Sequence, residues 1–247
     1  MQTPSPQAPQ DNKYIQGQVL VFDKPLRCTS FQLVGRVRWL LCRHLKIKKL
    51  KVGHAGTLDP LASGVLLICT GKATKRIEEL QGHEKEYVAT LQLGATTPSY
   101  DLEHPVDATY PTEHITPALV EEVLRRFTGP QMQVPPAFSA CKVDGHRAYD
   151  LARKGHEVEL QAKPIVIHAL SLEEADWEKK SLTLRIRCSK GTYIRSLARD
   201  IGEALQSGAH LTYLRRTLVG EYTEAQGLTL EQLEDMLRAE VKEWQTI

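Results

Sequence analysis

Apolar residues recur along this chain with two periods, one typical of strands and one typical of helices. Apolar residues alternate with polar ones in Lys85–Leu93 and again in Leu182–Cys188, which predicts strands with one buried face. Apolar positions follow helical spacing in Leu33–Leu41 and in Ile194–Leu205. The two periods predict a protein that combines strands with amphipathic helices.

The remaining segments extend this pattern without a regular βαβ alternation. Further strands are predicted at Gln18–Phe22, Gly64–Cys69, Ile165–Leu170 and His210–Tyr222. Helices are predicted after the capping residues Thr29 or Ser30, Thr116, Thr192 and Thr229, and over Lys72–Gly82. We therefore expect an α+β fold with a mixed, largely antiparallel central sheet flanked by helices.

Composition limits the organisation and the compartment. The 247 residues allow either one large domain or a domain with a small appendage. Residues 1–17 are rich in Pro, Gln and Ser and lack apolar periodicity, which predicts a flexible tail. No apolar run approaches the roughly 20 residues that cross a bilayer, and the amino terminus lacks a signal-peptide pattern. The five cysteines are odd in number and widely spaced, so we expect reduced thiols in a cytoplasmic protein, without a zinc site.

The formal net charge of +2 hides two basic groups. The first group, Lys24–Lys51, contains nine Lys and Arg residues and no acid. The second basic group comprises Arg185, Arg187, Lys190, Arg195, Arg199, Arg215 and Arg216. A single charge run is usually a solvated face, but two such groups favour a polyanionic partner such as nucleic acid.

One carboxylate, Asp59, lies in the loop "GHAGTLDP" directly before a short apolar run. Asp before Pro is a common turn former, so a structural role is one interpretation. A rigidly held carboxylate beside a cationic partner can also act as a nucleophile, and Arg195 in "SKGTYIRSLARD" is a candidate partner. The sequence contains no dinucleotide, P-loop, serine-hydrolase or zincin motif, so those four chemistries lose support. His54 could contact a nucleobase or be a hydrogen-bonded loop histidine. Tyr87 and Tyr193 could be core aromatics with satisfied hydroxyls, which is the usual role of such tyrosines.

Six ordered motifs together resemble the TruB-type tRNA pseudouridine synthases. They are "VFDKPLRCTSFQLV", "KVGHAGTLDPLASGVLLICTGKATK", "KEYVATLQLG", "PPAFSACKVDGHRAYDLARKG", "CSKGTYIRSLARDIGEAL" and "HLTYLRRT". The resemblance implies a pseudouridine synthase fold over 18–227 and isomerisation of uridine-55 in the TΨC loop of tRNA. The target base must be flipped out of the folded loop to react.

The resemblance also implies a role for each matching residue. Asp59 matches the nucleophile, with attack at C1′ or at C6 left open, and Arg195 matches its arginine partner. Tyr87 matches the tyrosine that stacks on the flipped base, and His54 matches the histidine that occupies the vacated space. The remaining substrate-binding matches are Tyr193 and Leu214 in the uridine pocket, Lys24 in "DKP" as support for the catalytic loop, and Lys190 near phosphate.

Further expectations concern the insertion, the carboxyl end and the partners. The segment 130–160 matches a family insertion that closes over RNA. Many bacterial relatives carry a PUA-type RNA-binding domain, whereas 228–247 suffices for a helix and no complete PUA domain, so binding is expected on the TΨC stem-loop. We expect a monomer that needs no cofactor, metal or membrane. The alternatives are a non-catalytic RNA-binding or tRNA-folding module and a synthase that acts on another RNA.

Overall fold

The computed structural model describes residues 12–139, 142–143, 146–147 and 160–245. Within these ranges the helices are α1 Lys13–Gln16, α2 Ser30–His44, α3 Ile77–Gly82, α4 Pro117–Arg126, α5 Ile194–Ala204 and α6 Leu230–Gln245. The strands are β1 Val19–Lys24, β2 Val52–His54, β3 Ser63–Thr70, β4 Lys85–Leu93, β5 Ala95–Thr96, β6 Ala108–Thr109, β7 Gly129–Gln133, β8 Lys142–Val143, β9 His146–Arg147, β10 Lys163–Asp176, β11 Ser181–Cys188, β12 Ala209–Val219 and β13 Tyr222–Thr223. Short 3₁₀ helices lie at Gly71–Arg76 and Glu224–Gln226.

The chain divides into two compact units. Unit 1 contains the chain up to His83 and from Arg216 onward, and unit 2 contains Glu84–Arg215. This division cuts through the predicted catalytic range 18–227, whose boundaries stay a prediction. The described helices include none with the length and apolar character that a bilayer crossing requires.

Unit 1 is built on β3, in which every residue is buried. β1 and β2 both pair with β3 in antiparallel register, and Phe22 forms a parallel bridge with Leu228. A strand that is buried on both faces must be continuously apolar, which explains the run "GVLLIC". β3 therefore gives the loop before it a rigid base.

Helix α2 covers this part of unit 1 and begins with a complete capping box. The Thr29 side chain accepts from the Gln32 N–H, and the Gln32 side chain accepts from the Thr29 N–H. Its apolar stripe is buried, while Arg36 and Arg43 are exposed. The helical spacing predicted from the sequence is confirmed, and it orients a basic face outward.

Unit 2 is a sheet of four long strands in the order β4, β11, β10 and β7, and each adjacent pair is antiparallel. Burial alternates along β4 and along β11, as the period of two predicts. Helix α5 buries Ile194, Leu197, Ala198 and Ile201. The α+β class and the largely antiparallel pairing are thus confirmed within the units.

Three predictions about local structure are wrong. The predicted tail 1–17 overlaps α1, whose Tyr14 is buried, so these helical residues are not part of a flexible tail. Residues 1–11 lie outside the described residues. Thr192 does not cap α5, because its hydroxyl donates to the Ser189 carbonyl and the helix starts after Tyr193. The range 130–160 is not wholly an insertion, since β7 pairs with β10 and Gln133 is buried. Most of the range's remainder, 140–141, 144–145 and 148–159, lies outside the described residues.

Candidate active site

The Asp59 loop joins β2 to β3 in unit 1 and is tied to the start of α2. The buried Ser30 hydroxyl donates to the Leu58 carbonyl at 2.9 Å and accepts from the Leu58 N–H at 2.9 Å. The Ala62 N–H donates to the Asp59 carbonyl at 3.1 Å, which closes the turn. Leu58 is buried and Asp59 is half-buried. The contacts hold the main chain on both sides of the carboxylate and leave the side chain partly accessible.

A buried arginine, Arg216, crosses the same loop. Its Nε donates to the Val65 carbonyl at 2.7 Å, its Nη2 to the Gly56 carbonyl at 3.1 Å and its Nη1 to the Thr57 carbonyl at 3.4 Å. Only 1% of Arg216 is exposed. Arg216 belongs to the second basic group of the sequence, and nothing in the local pattern "LRRT" distinguishes a buried arginine from an exposed one. Arg216 is therefore a residue of this site that the sequence did not reveal.

Lys24 is fully buried in unit 1. Its ammonium donates to the carbonyls of Cys28 at 2.6 Å and Pro25 at 2.9 Å. Burial lowers the pKa of Lys24 to about 8; the negative charge of Asp59 opposes this shift, and the positive charge of Arg216 adds to it. In this structure the ammonium faces protein carbonyls rather than solvent, and its role as support for the catalytic loop stays a prediction.

His54 ends β2, five residues before Asp59. Burial lowers its pKa, and the positive charge of Arg216 lowers it further. Its buried Nδ1 has no hydrogen-bond partner among the described residues. The ring is therefore neutral at pH 7, which suits contact with a nucleobase better than contact with a phosphate.

Four predicted site residues of unit 2 lie on strands or beside α5. Tyr87 belongs to the buried face of β4, opposite Ile186 of β11, and is 7% exposed. Leu214 of β12 is 8% exposed. Tyr193 directly precedes α5, where the Gln133 side chain accepts from its N–H at 2.8 Å and donates to its carbonyl at 3.1 Å. Lys190 is exposed two residues after β11.

Arg195, in the first turn of α5, is 5% exposed. It donates to the Phe138 carbonyl at 3.0 Å and to the Ser99 carbonyl at 3.3 Å, and its Nε lies 3.8 Å from a carboxylate oxygen of Asp101. Asp101 is itself buried, and no motif in the sequence marked it. The predicted pair between Arg195 and Asp59 stays a prediction, and the carboxylate seen beside Arg195 within unit 2 is Asp101.

The second basic group is not a single surface. Arg185 pairs with Glu86 and Glu173, and Arg187 pairs with Glu84. Arg199 pairs with Asp200, and both Arg195 and Arg216 are buried. The expectation of a second basic surface is therefore wrong, because three of its arginines are paired with acids and two are buried. The first group differs: apart from Lys24 and the half-buried Arg38, its Lys and Arg residues are exposed.

The predicted site residues thus fall into two sets. Asp59, His54 and Lys24 lie close to Arg216 in unit 1, whereas Tyr87, Arg195, Tyr193, Leu214 and Lys190 belong to unit 2. The described cysteines Cys28, Cys42, Cys69 and Cys188 are free thiols. Across the described ranges, no three His, Cys, Asp or Glu side chains gather in a way that could hold a metal ion.

Comparison with known families shows the family of this chain. Residues 43–194, more than half of the chain, match the TruB family pseudouridylate synthase (N terminal domain). The chain belongs to the TruB family. Residues 195–245 match a second profile of that family, the tRNA pseudouridylate synthase B C-terminal domain. This profile begins inside the range predicted as the catalytic domain, so the TruB-family profiles do not place a boundary at 227.

Curated relatives agree along nearly the whole TruB-family chain. It is 68% identical to tRNA pseudouridine synthase B of Bacteroides fragilis over 206 residues, covering 83% of this chain and 88% of that one. It is 66% identical to tRNA pseudouridine synthase B of Bacteroides thetaiotaomicron, covering 92% of each. Identity to the Flavobacterium johnsoniae protein of the same name is 50%, over 92% of this chain and 98% of that one.

Solved structures share the fold. A chain in a structure titled as a Cbf5-Nop10-Gar1 complex is 28% identical with a TM-score of 0.67, covering 94% of this TruB-family chain and 59% of that chain. A chain in an H/ACA RNP bound to a substrate RNA containing 2'-deoxyuridine gives a TM-score of 0.64 at 28% identity, covering 92% and 56%. This chain therefore spans less than two thirds of those chains. The matches confirm the predicted pseudouridine synthase fold.

Proposed function

We propose that this TruB-family chain isomerises uridine-55 in the TΨC loop of tRNA to pseudouridine. The observation that carries the proposal is the 66% identity to the Bacteroides thetaiotaomicron tRNA pseudouridine synthase B over 92% of both chains. Isomerisation exchanges a bond from N1 to C1′ for one from C5 to C1′. It therefore consumes no oxidant, reductant or second substrate.

Asp59 is the proposed nucleophile. Its carboxylate forms a bond to the uridine at C1′ or at C6, the glycosidic bond from N1 to C1′ breaks, and the uracil rotates. C5 then bonds to C1′, the bond to Asp59 breaks and restores the carboxylate, the C5 proton is released, and N1 takes up a proton. A covalent step of this kind requires a carboxylate held in a fixed geometry. The bonds from Ser30 and Arg216 to the main chain around Asp59 support this assignment.

The other site residues have proposed roles that fit their surroundings. Tyr87 stacks on the flipped base and transfers the proton, and its position on a buried strand face gives the ring a fixed orientation. Tyr193 and Leu214 line the uridine pocket, and Arg195 pairs with Asp59. The neutral ring of His54 suits the space that the base vacates, and the exposed Lys190 suits contact with phosphate.

The proposed partner is tRNA, bound through its TΨC stem-loop. The exposed cations of the first basic group support this, because phosphate neutralisation supplies most of the non-specific affinity for RNA. We further propose a monomer that acts in the cytoplasm without a metal or cofactor.

Tritium release from C5-labelled uridine in unmodified tRNA tests the proposal, because it reports isomerisation rather than binding. The wild-type chain should release one equivalent of tritium per tRNA. Asp59→Asn should release none while binding tRNA with wild-type affinity. Asp235→Asn, the same change on the exposed face of α6, should behave as wild type.

The same assay separates the competing functions. A non-catalytic RNA-binding or tRNA-folding module would bind tRNA without tritium release even as the wild type. A synthase of another RNA, as the H/ACA RNP titles describe for the structural neighbours, would leave tRNA unlabelled in the absence of further subunits or guide RNA. Full activity of Asp59→Asn would refute the nucleophile assignment.

A further inference from the structure

One side chain, that of Arg216, contacts both ends of the Asp59 loop. Two of its nitrogens donate to the carbonyls of Gly56 and Thr57, which precede Asp59, and the third donates to the carbonyl of Val65, which follows it. Asp59 thus lies within a segment whose two ends are joined by a single guanidinium. The three donors of a planar guanidinium have fixed directions, so they also fix the relative positions of the three carbonyls.

The main chain of Arg216 contacts the same segment. Gly64 has a φ of +103°, and a Cβ at this position would lie 2.2 Å from the Arg216 carbonyl oxygen. Only glycine allows so close an approach together with this backbone conformation. The end of β12 therefore braces the Asp59 loop twice, through the backbone at Gly64 and through the guanidinium at the two ends of the loop.

The charge of Arg216 is directed at main-chain dipoles. Its described hydrogen-bond acceptors are three carbonyl oxygens, and it is almost fully buried. A buried cation that bonds only neutral groups loses hydration without a full opposite charge in return. Burial of this cation is costly, and an apolar side chain would avoid that cost only by leaving the three carbonyls without these donors. The geometry that the guanidinium imposes on the loop accounts for its presence.

We propose that Arg216 is the positioning residue for Asp59: its guanidinium locks Gly56, Thr57 and Val65 and so holds the carboxylate where it attacks the uridine. The inference rests on the proposed function, because it concerns the step that Asp59 performs there. Arg216 contacts the loop, and with 1% of its surface exposed it offers almost no surface to RNA. Its loss should therefore lower the rate of the chemical step and leave RNA affinity unchanged.

Arg216→Lys is the main test, because lysine keeps the charge but cannot make three bonds in the fixed directions of a guanidinium. A displacement of about 1 Å at a reacting group costs about a hundredfold in rate, so we expect a loss of that order in the single-turnover rate of tritium release. The Kd for unmodified tRNA should stay within about twofold of wild type, since the phosphate contacts that dominate affinity are unaffected.

Arg38→Lys is the matched control, because Arg38 also lies in unit 1 and donates to one main-chain carbonyl, that of Val52, at 3.1 Å. It should keep the wild-type rate. The folded fraction of each variant is measured by thermal unfolding at the assay temperature. The proposal is overturned if the rate of Arg216→Lys equals the wild-type rate after correction for the folded fraction. It is also overturned if Arg216→Lys and Arg38→Lys lose the same amount of activity.

Chemical rescue distinguishes a positioning role from a merely structural one. Arg216→Ala leaves a cavity of guanidinium shape, and added methylguanidinium should raise its single-turnover rate at least about tenfold in a saturable manner. Potassium chloride at equal ionic strength is the control, because RNA binding depends on salt. Absence of rescue in folded Arg216→Ala, together with a wild-type rate in Arg216→Lys, contradicts the proposal. Activity in Asp59→Asn would instead refute the proposed function and leave the loop contacts of Arg216 standing.

Discussion

Two buried arginines, one in each unit, look alike in the sequence and have different surroundings. Arg216 in unit 1 and Arg195 in unit 2 are 1% and 5% exposed, and both donate to main-chain carbonyls. Arg195 also lies 3.8 Å from the carboxylate of Asp101. Arg216 has carbonyl oxygens as its described acceptors, and its charge acts on Lys24 and His54.

The difference separates two uses of the same side chain. An arginine beside a buried carboxylate forms an ion pair, and removal of either side chain leaves the charge of the other uncompensated. An arginine that binds only carbonyls has no opposite charge beside it, and its hydrogen bonds fix the positions of those carbonyls. We therefore expect the two residues to respond differently when the charge or the hydrogen bonds are removed.

The largest effect on stability is expected at Arg195. Arg195→Met leaves the buried Asp101 carboxylate without this partner and should lower the free energy of unfolding by about 3–5 kcal/mol, measured by urea denaturation. Asp101→Asn removes the opposite charge while the carbonyl bonds of Arg195 remain, so its effect should be smaller.

The double variant Arg195→Met with Asp101→Asn provides the control for this pair. It should be more stable than Arg195→Met alone, because the buried carboxylate that lost its arginine partner is gone. Additive losses in the two single variants would mean that the 3.8 Å contact carries no coupling, and Arg195 would then resemble Arg216.

A second, smaller effect concerns the pH dependence that Lys24 introduces beside Arg216. Folded Lys24 loses its proton near pH 8, whereas an unfolded lysine keeps it up to 10.5. Above pH 8 the unfolded chain therefore binds more protons, and the free energy of unfolding should rise with pH. The window from pH 8 to 9 is the clearest, because the buried Cys69 thiol has a pKa raised to about 11 and acts in the opposite direction above 9.

Urea denaturation at pH 8 and pH 9 measures this rise. It should be absent in Lys24→Met. In Arg216→Met the pKa of Lys24 should increase because a nearby positive charge has gone, which moves the rise to higher pH. An unchanged pH dependence in Arg216→Met would show that the positive charge of Arg216 does not affect the pKa of Lys24, and would contradict the expected difference between Arg216 and Arg195.

The sequence pattern predicted the helices and strands correctly where the spacing of apolar residues matches the buried face. Alternation in β4 predicted its limits and its buried face, and the Thr29 and Thr229 caps were correct because the cap and its Gln partner are three residues apart. β7 was missed because Pro130 and Gln131 resemble a loop. Its described partner is β10 alone, and a proline is tolerated at the edge of a sheet.

The site was predicted less completely because its contacts are long-range. Asp59 and Arg195 were found through motifs, whereas Arg216 lies 160 positions from Gly56 and bonds to it through a carbonyl that every residue has. Asp101 had no distinguishing neighbour either. Charges that are counted along a sequence carry no information about burial, so the second basic group was predicted as a surface although Arg195 and Arg216 are internal.

The smallest effect is expected at His54, whose pKa Arg216 lowers together with burial. The folded chain takes up this proton at lower pH than the unfolded chain, so His54 contributes a loss of stability as the pH falls below 6.5. In Arg216→Met the positive charge is gone, and the His54 pKa should move back toward its ordinary value, measured by NMR titration of the imidazole C–H signals. Arg38→Met removes a different arginine bonded to β2 and should leave the His54 pKa as in wild type. Equal pKa shifts in both variants would mean that loosened packing around β2 causes the change. A shift in Arg216→Met alone would establish that the positive charge of Arg216 lowers the His54 pKa.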